Sequence, residues 1–140
     1  MSYSLAFTQS LYIVLLIAAK VRIGQFDFVP TQRISEVLNI PPSTVGMILR
    51  RLHHARLIET REGANGGVRL ALPPDKITVM DVFAAVEQSR GLFNTTSSQF
   101  KVEPVTKMRD IVGNVLNTAE QSMMQSLQAT TIENLLDAIS

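Results

Sequence analysis

Pro41 and Pro42, adjacent and followed by Ser43, constrain this chain more than any other short segment. A proline cannot continue a helix, yet it fits the first turn of a new one. The run Ile40-Pro41-Pro42-Ser43 therefore closes one helix and opens another almost at once. Upstream, a short helix is predicted to start at Thr31, which caps it after Pro30, with Ile34, Val37 and Leu38 on its buried side. Asn39 ends it, since asparagine tolerates the left-handed conformation found at helix C-termini. Downstream, a helix is predicted from about Pro42 to Ala55. Two helices joined by so short a turn give a helix-turn-helix outline, which many unrelated proteins share.

After Leu57 the hydrophobic period changes from helical to alternating. Ile58 and Thr60 precede Gly63-Ala64-Asn65-Gly66-Gly67, and Val68, Leu70 and Leu72 follow. The segment reads as a β-hairpin with a glycine-rich tip, a candidate wing. Pro73-Pro74 closes it. Thr78 with Asp81 resembles a capping box that opens a fourth helix running through Gln88, with Val79, Val82, Phe83 and Val86 buried.

At the N-terminus, residues 5 to 22 form a first helix. Leu5, Leu11, Val14, Leu15, Ala18 and Val21 are its expected buried stripe, and Gly24 its end. Residues 89 to 103 lack a period and read as a loop. A long helix follows from Pro104, and Thr131 caps a last one carrying Ile132, Leu135, Leu136 and Ile139. The expected fold class is mainly α with a small β-hairpin. In domain terms it is a winged helix-turn-helix region at 1–88, a loop at 89–103 and a helical dimerisation region at 104–140.

The totals exclude several classes of function. A chain of 140 residues suits one folded unit. Apolar residues are 46% and charged residues 18%, a surplus of apolar side chains that suggests some are covered by a second subunit. The absence of cysteine rules out disulfides, thiolate metal ligation and thiol nucleophiles. The longest apolar stretch, Leu11 to Ala19, is far short of the roughly 20 residues that span a bilayer. It reads as a buried helix. No basic segment and cleavage pattern frame it, so a cytoplasmic location and no membrane partner are expected. Net charge is +1, but residues 1 to 72 hold eight Lys or Arg against four acids, while the rest hold five against eight. That asymmetry suggests that the first half faces a polyanion.

On a helical wheel, Val45, Ile48, Leu49 and Leu52 fall on one side of the third helix. Ser43, Gly46, Met47, Arg50 and His54 fall opposite, flanked by Thr44 and Arg51. A helix in a major groove needs small residues near its start and long donors beyond, which Ser43, Gly46 and Arg50 supply. A solvated amphipathic helix has the same pattern, and the helix alone does not separate the two. Arg50 is the candidate base reader, because its guanidinium can donate two parallel bonds to guanine. Arg51 and Arg56 read as phosphate contacts. Arg61 and Arg69 flank the hairpin tip, whose Gly66 and Gly67 allow close approach to a phosphate or a minor groove. A nucleotide-binding loop is excluded, since no helix and no Lys-Ser/Thr pair follow the glycines. His53 and His54 point about 100° apart on a helix and cannot share a metal as an i, i+4 pair does, so they read as surface or phosphate-facing groups. No catalytic constellation is present, and neither an enzyme nor a metal site is expected.

Leu38 to Ser43, Leu49-Arg50-Arg51-Leu52, Leu57-Ile58, the run Gly63 to Leu70 and Ile77-Thr78-Val79-Met80-Asp81-Val82 together resemble the Rrf-two (BadM-type) family of bacterial winged helix-turn-helix regulators. The resemblance covers nearly the whole chain. It implies a homodimer built on the long helix, with Met108, Val112, Val115, Ala119 and Met123 at the interface. It also implies two recognition helices in successive major grooves of double-stranded DNA, with wings toward the minor groove. Ser43, Thr44 and Gly46 match positions that contact bases in relatives. Relatives often carry an aromatic at the place of Thr44 and a Glu at that of Gly46, so the operator sequence does not transfer. Arg61-Glu62 also departs from the usual Arg directly beside the wing glycine. Many members bind an iron-sulfur cluster through three cysteines in the loop before the long helix. Here that loop offers only Glu103 as a strong ligand, so no cofactor is expected. A small organic effector, a partner protein or no effector all stay open.

The expected function is therefore a sequence-specific transcriptional regulator, a repressor acting as a homodimer on a palindromic operator. The alternative is a winged-helix module that binds protein through the apolar face of the long helix.

Overall fold

The computed structural model describes residues 5–87 and 103–139. The first helix, α1, spans Leu5–Arg22; a short α2 covers Thr31–Leu38, and α3 covers Pro42–His54. An antiparallel hairpin of β1 (Ile58–Arg61) and β2 (Gly67–Leu70) follows, then a single 3-10 turn at Pro74–Lys76. The chain continues as α4 (Val79–Glu87), the long α5 (Glu103–Gln128) and α6 (Ile132–Ile139). The mainly helical winged fold expected from the sequence is the one observed. Of the expected loop at 89–103, residues 89–102 lie outside the described residues, as does the proposed end of the fourth helix at Gln88.

Both turns around α2 and α3 follow local chemistry. Asn39 adopts the left-handed conformation (φ 53°), and the Ile40 amide donates to Ser35 O across it. Pro42 starts α3 after an extended Pro41. Thr31 is not a cap: Pro30 holds that position without a side-chain hydrogen bond. The Thr31 and Gln32 amides in the first turn of α2 therefore have no capping side chain, and both residues are exposed. At the far end of α3, Arg56 takes the left-handed conformation (φ 63°), and Leu57 N donates to Leu52 O. That reversal turns the chain directly into β1.

The core is formed by one side of α1, the inner faces of α2, α3 and α4, the hairpin base and α6. On α1 the buried positions are Ser10, Ile13, Val14, Ile17 and Ala18. The stripe read from sequence is thus corrected in phase, since Leu5 and Val21 are exposed. The helix is apolar nearly all round, with mean hydropathy 1.5, enough by length and composition for a membrane span. Its composition therefore cannot mark one face; packing against α4, β2 and α6 does. Ser10 is tolerated inside because its hydroxyl donates to Phe7 O at 2.6 Å. On α2 only Ile34 is fully buried, and Val37, expected inside, is exposed.

Thr78 and Asp81 form the expected reciprocal cap: Thr78 N donates to Asp81 Oδ2 at 2.9 Å and Asp81 N to Thr78 Oγ1 at 3.1 Å. Thr131 and Asn134 repeat the device at α6. The two caps lie side by side, with Val79 N donating to Thr130 O and Ile132 N to Ile77 O, each at 2.9 Å. This clamp brings α6 back onto α1, where Ile132 and Leu136 enter the core. Within the segment 104–140, α6 thus packs into the winged-helix core, while α5 packs against α4.

Candidate nucleic-acid interface

Val45, Ile48, Leu49 and Leu52 anchor α3 in the core, as its wheel requires. Ser43, Arg50, His53 and His54 are left exposed on the outer side, with Thr44, Gly46 and Met47 half-buried. Gly46 has room for a side chain. A Cβ there would meet only the Arg50 Nη1 at 3.4 Å, an ordinary van der Waals contact with the end of a flexible side chain. Met47 packs against the core edge and offers little to a ligand.

The hairpin rises beside α3 and forms with it a cleft of about 750 Å³. Gly46, Arg50, His53 and His54 line one wall, and Thr60, Arg61, Gly63 and Ala64 the other. Thr31 and Gln32, at the uncapped start of α2, close one end. Among the described residues the lining carries Arg50 and Arg61 and no carboxylate. Such a concave, cationic trough with backbone amides at a helix N-terminus suits a phosphate backbone. The sequence reading named α3 and the wing but not Thr31, Gln32 or Thr60. The available signal was Pro30 preceding α2, which supplies no capping oxygen.

Four of the expected site residues have roles within the fold. Arg51 turns inward, and its Nη1 donates to Val86 O at 2.9 Å, satisfying a carbonyl at the last turn of α4. That bond ties its Nη1 into the fold. Arg69 lies across the ladder from Glu59 and pairs with it at 2.9 Å. Gly66 and Gly67 answer to internal crowding. A Cβ on Gly67 would lie 2.2 Å from Val29 O, and one on Gly66 2.3 Å from Arg61 O. Gly66 is crowded by the backbone of the wing turn itself, at Arg61, Glu62 and Gly63, and Gly67 by a third segment that the sequence reading missed: Val29 pairs with Val68 through Val29 N to Val68 O at 2.7 Å and Val68 N to Val29 O at 2.9 Å. This strand-like segment runs against the wing so closely that only glycine fits at 67.

Arg61 curls the wing tip by donating to Asn65 O from Nε (3.2 Å) and Nη2 (2.7 Å). Both wing arginines also lie over the ring of Phe28, Arg61 at 4.2 Å and Arg69 at 4.5 Å from its centroid. On α5, Met108, Val112, Val115 and Ala119 are exposed and Met123 is half-buried.

A family model described as "Rrf2: Iron-dependent Transcriptional regulator" matches residues 4–138. The chain is 26% identical over 108 residues to the HTH-type transcriptional regulator NsrR of Shouchella clausii, covering 75% of this chain and 70% of that one. Its fold is similar to that of IscR from T. potens, with TM-score 0.74, 21% identity, and 100% and 89% of the two chains covered. It is also similar to CymR, the global cysteine regulator of B. subtilis, with TM-score 0.66, 22% identity, and 99% and 98% covered. The iron in the family description does not fit the donors here. The sequence has no thiolate to offer, and among the described residues no three His, Asp or Glu side chains converge on one point.

Proposed function

The chain belongs to the Rrf2 family of transcriptional regulators, proteins that bind DNA and are not enzymes, and on that premise we propose that it is a cytoplasmic homodimeric repressor acting on a palindromic operator. The observation that carries the reading is the cleft between α3 and the wing, whose lining includes Arg50 and Arg61 and no carboxylate. In this reading α3 enters the major groove. Ser43, Thr44, Gly46 and Arg50 are nearest the bases, and His53, His54, Arg61 and the α2 amides lie against the flanking phosphates. Met47 is at most a van der Waals neighbour.

Dimerisation is supported by α5. No described position along its 26 residues is buried, yet Met108, Ile111, Val112 and Val115 are 61%, 64%, 54% and 65% exposed. Their spacing, continued by Ala119 and Met123, places them on one stripe. Such a face is costly to leave in water, and pairing with its own copy around a two-fold axis covers it. The dimer then sets two copies of α3 about 34 to 36 Å apart, one turn of duplex, and a bound dimer obstructs whatever must use the same DNA.

Selection of duplexes from a random pool tests the reading. The expected result is a two-fold symmetric site whose binding weakens steeply with salt, because each neutralised phosphate releases counterions. Absence of any preferred duplex, or a flat salt response, refutes it.

A further inference from the structure

Phe28 is the residue in this region that neither the helix-turn-helix outline nor the wing accounts for. It is half-buried at the edge of the hairpin, next to Val29, which is held to β2 by two backbone hydrogen bonds. Its ring receives two guanidinium groups, those of Arg61 and Arg69. The two cations are not equivalent. Arg69 is neutralised by Glu59 at 2.9 Å, whereas Arg61 has no carboxylate partner among the described residues and lines the cleft. Register explains why all four side chains meet. Glu59 pairs with Arg69 and Arg61 with Gly67, so three side chains share one face of the hairpin, and the bare Gly67 lets the 27–30 segment approach.

We infer that Phe28 is a positioning residue for DNA binding: its ring, together with the Asn65 carbonyl, holds the Arg61 guanidinium in place before the duplex arrives, while Arg69 with Glu59 completes the stack as a structural pair. An arginine is a long side chain that loses much rotamer freedom when fixed, and an attractive aromatic face fixes it in advance. The duplex then meets an ordered cation, and binding does not have to order it. The inference rests on the regulator reading above and deepens it, since it says which wing cation touches DNA and what holds it.

The test is a double-mutant cycle on a duplex that the unaltered chain has selected from a random pool, at fixed ionic strength. Phe28→Leu keeps apolar cover on the hairpin and removes the ring. It should weaken binding about two- to tenfold, the cost of ordering one rotamer-rich side chain. In an Arg61→Gln background the same change should cost nothing further, and Phe28→Tyr should bind like the unaltered chain. Arg69→Gln should weaken binding far less than Arg61→Gln. Without DNA, the Arg61 Nε proton should show an upfield ring-current shift that Phe28→Leu abolishes. This readout on the unaltered chain stands even where the leucine variant folds poorly. Equal losses in both backgrounds, no loss at all, or an unshifted Arg61 proton overturns the proposal while leaving the regulator reading intact. Failure of the unaltered chain to select any duplex overturns both.

Discussion

Replacing Gly67 by alanine separates a glycine kept for the fold from one kept for a ligand. The added Cβ would lie 2.2 Å from Val29 O, 2.5 Å from Val29 C and 2.9 Å from Pro30 N, all backbone atoms that cannot rotate aside. The segment at 27–30 must move away, and with it go the 2.7 Å and 2.9 Å hydrogen bonds joining Val29 to Val68. Two such bonds are worth roughly 0.5–1.5 kcal/mol each. Gly67 also has φ 147°, a conformation that costs a residue with a side chain roughly 1–3 kcal/mol. Together these give a destabilisation of about 4 kcal/mol. With a urea slope of about 2 kcal/mol/M, the unfolding midpoint should fall by about 2 M at fixed protein concentration. Gly63→Ala is the internal control. Its φ of 99° carries similar backbone strain, but no atom lies within 4 Å of its Cβ, so its midpoint should fall about half as far. If Gly67→Ala unfolds within about 0.5 kcal/mol of the parent while DNA binding collapses, the glycine serves the ligand and the packing argument is wrong.

Arg50→Ala should cost roughly 1–3 kcal/mol of DNA affinity and relax the preference at one base pair, read by repeating the selection; uniform weakening on all sequences would make Arg50 a phosphate contact. A charge at Val112 or Val115 (V112D or V115D) should yield folded monomers by sedimentation that bind a full site poorly; dimers of unchanged mass would show that the interface is elsewhere. Arg51→Met removes the donor that satisfies Val86 O and should lower stability by about 1–2 kcal/mol in urea. Its salt slope for DNA should match the parent's, and a slope smaller by about one would return Arg51 to the phosphate contacts.

Much of the fold was legible because its signals are local. Pro41-Pro42 fixed the helix break, Asn39 the reversal before it, and the Thr78–Asp81 and Thr131–Asn134 caps each close within four residues. The buried side of α3 was read correctly because its polar and apolar faces are cleanly separated. The inward hydrogen bond of Arg51 was not legible because its partner, Val86 O, lies 35 residues along the chain. The wing glycines were read as space for a ligand because the Val29 segment that crowds Gly67 is likewise remote in sequence.

From the sequence alone come the order of elements, the helix α3 with Arg50 on its outer side, the glycine-tipped hairpin and the absence of any thiolate. These depend on spacing of three or four residues, on fixed proline geometry and on composition. Only the tertiary structure decided which side of the uniformly apolar α1 faces inward, that α6 returns to the core, and that Arg51 is tied to α4 while Arg61 lies on Phe28. Those outcomes are contacts between segments distant along the chain. They are set by which surfaces can pack together and by which backbone groups must find partners once water has left, and neither condition is written in any local run of residues.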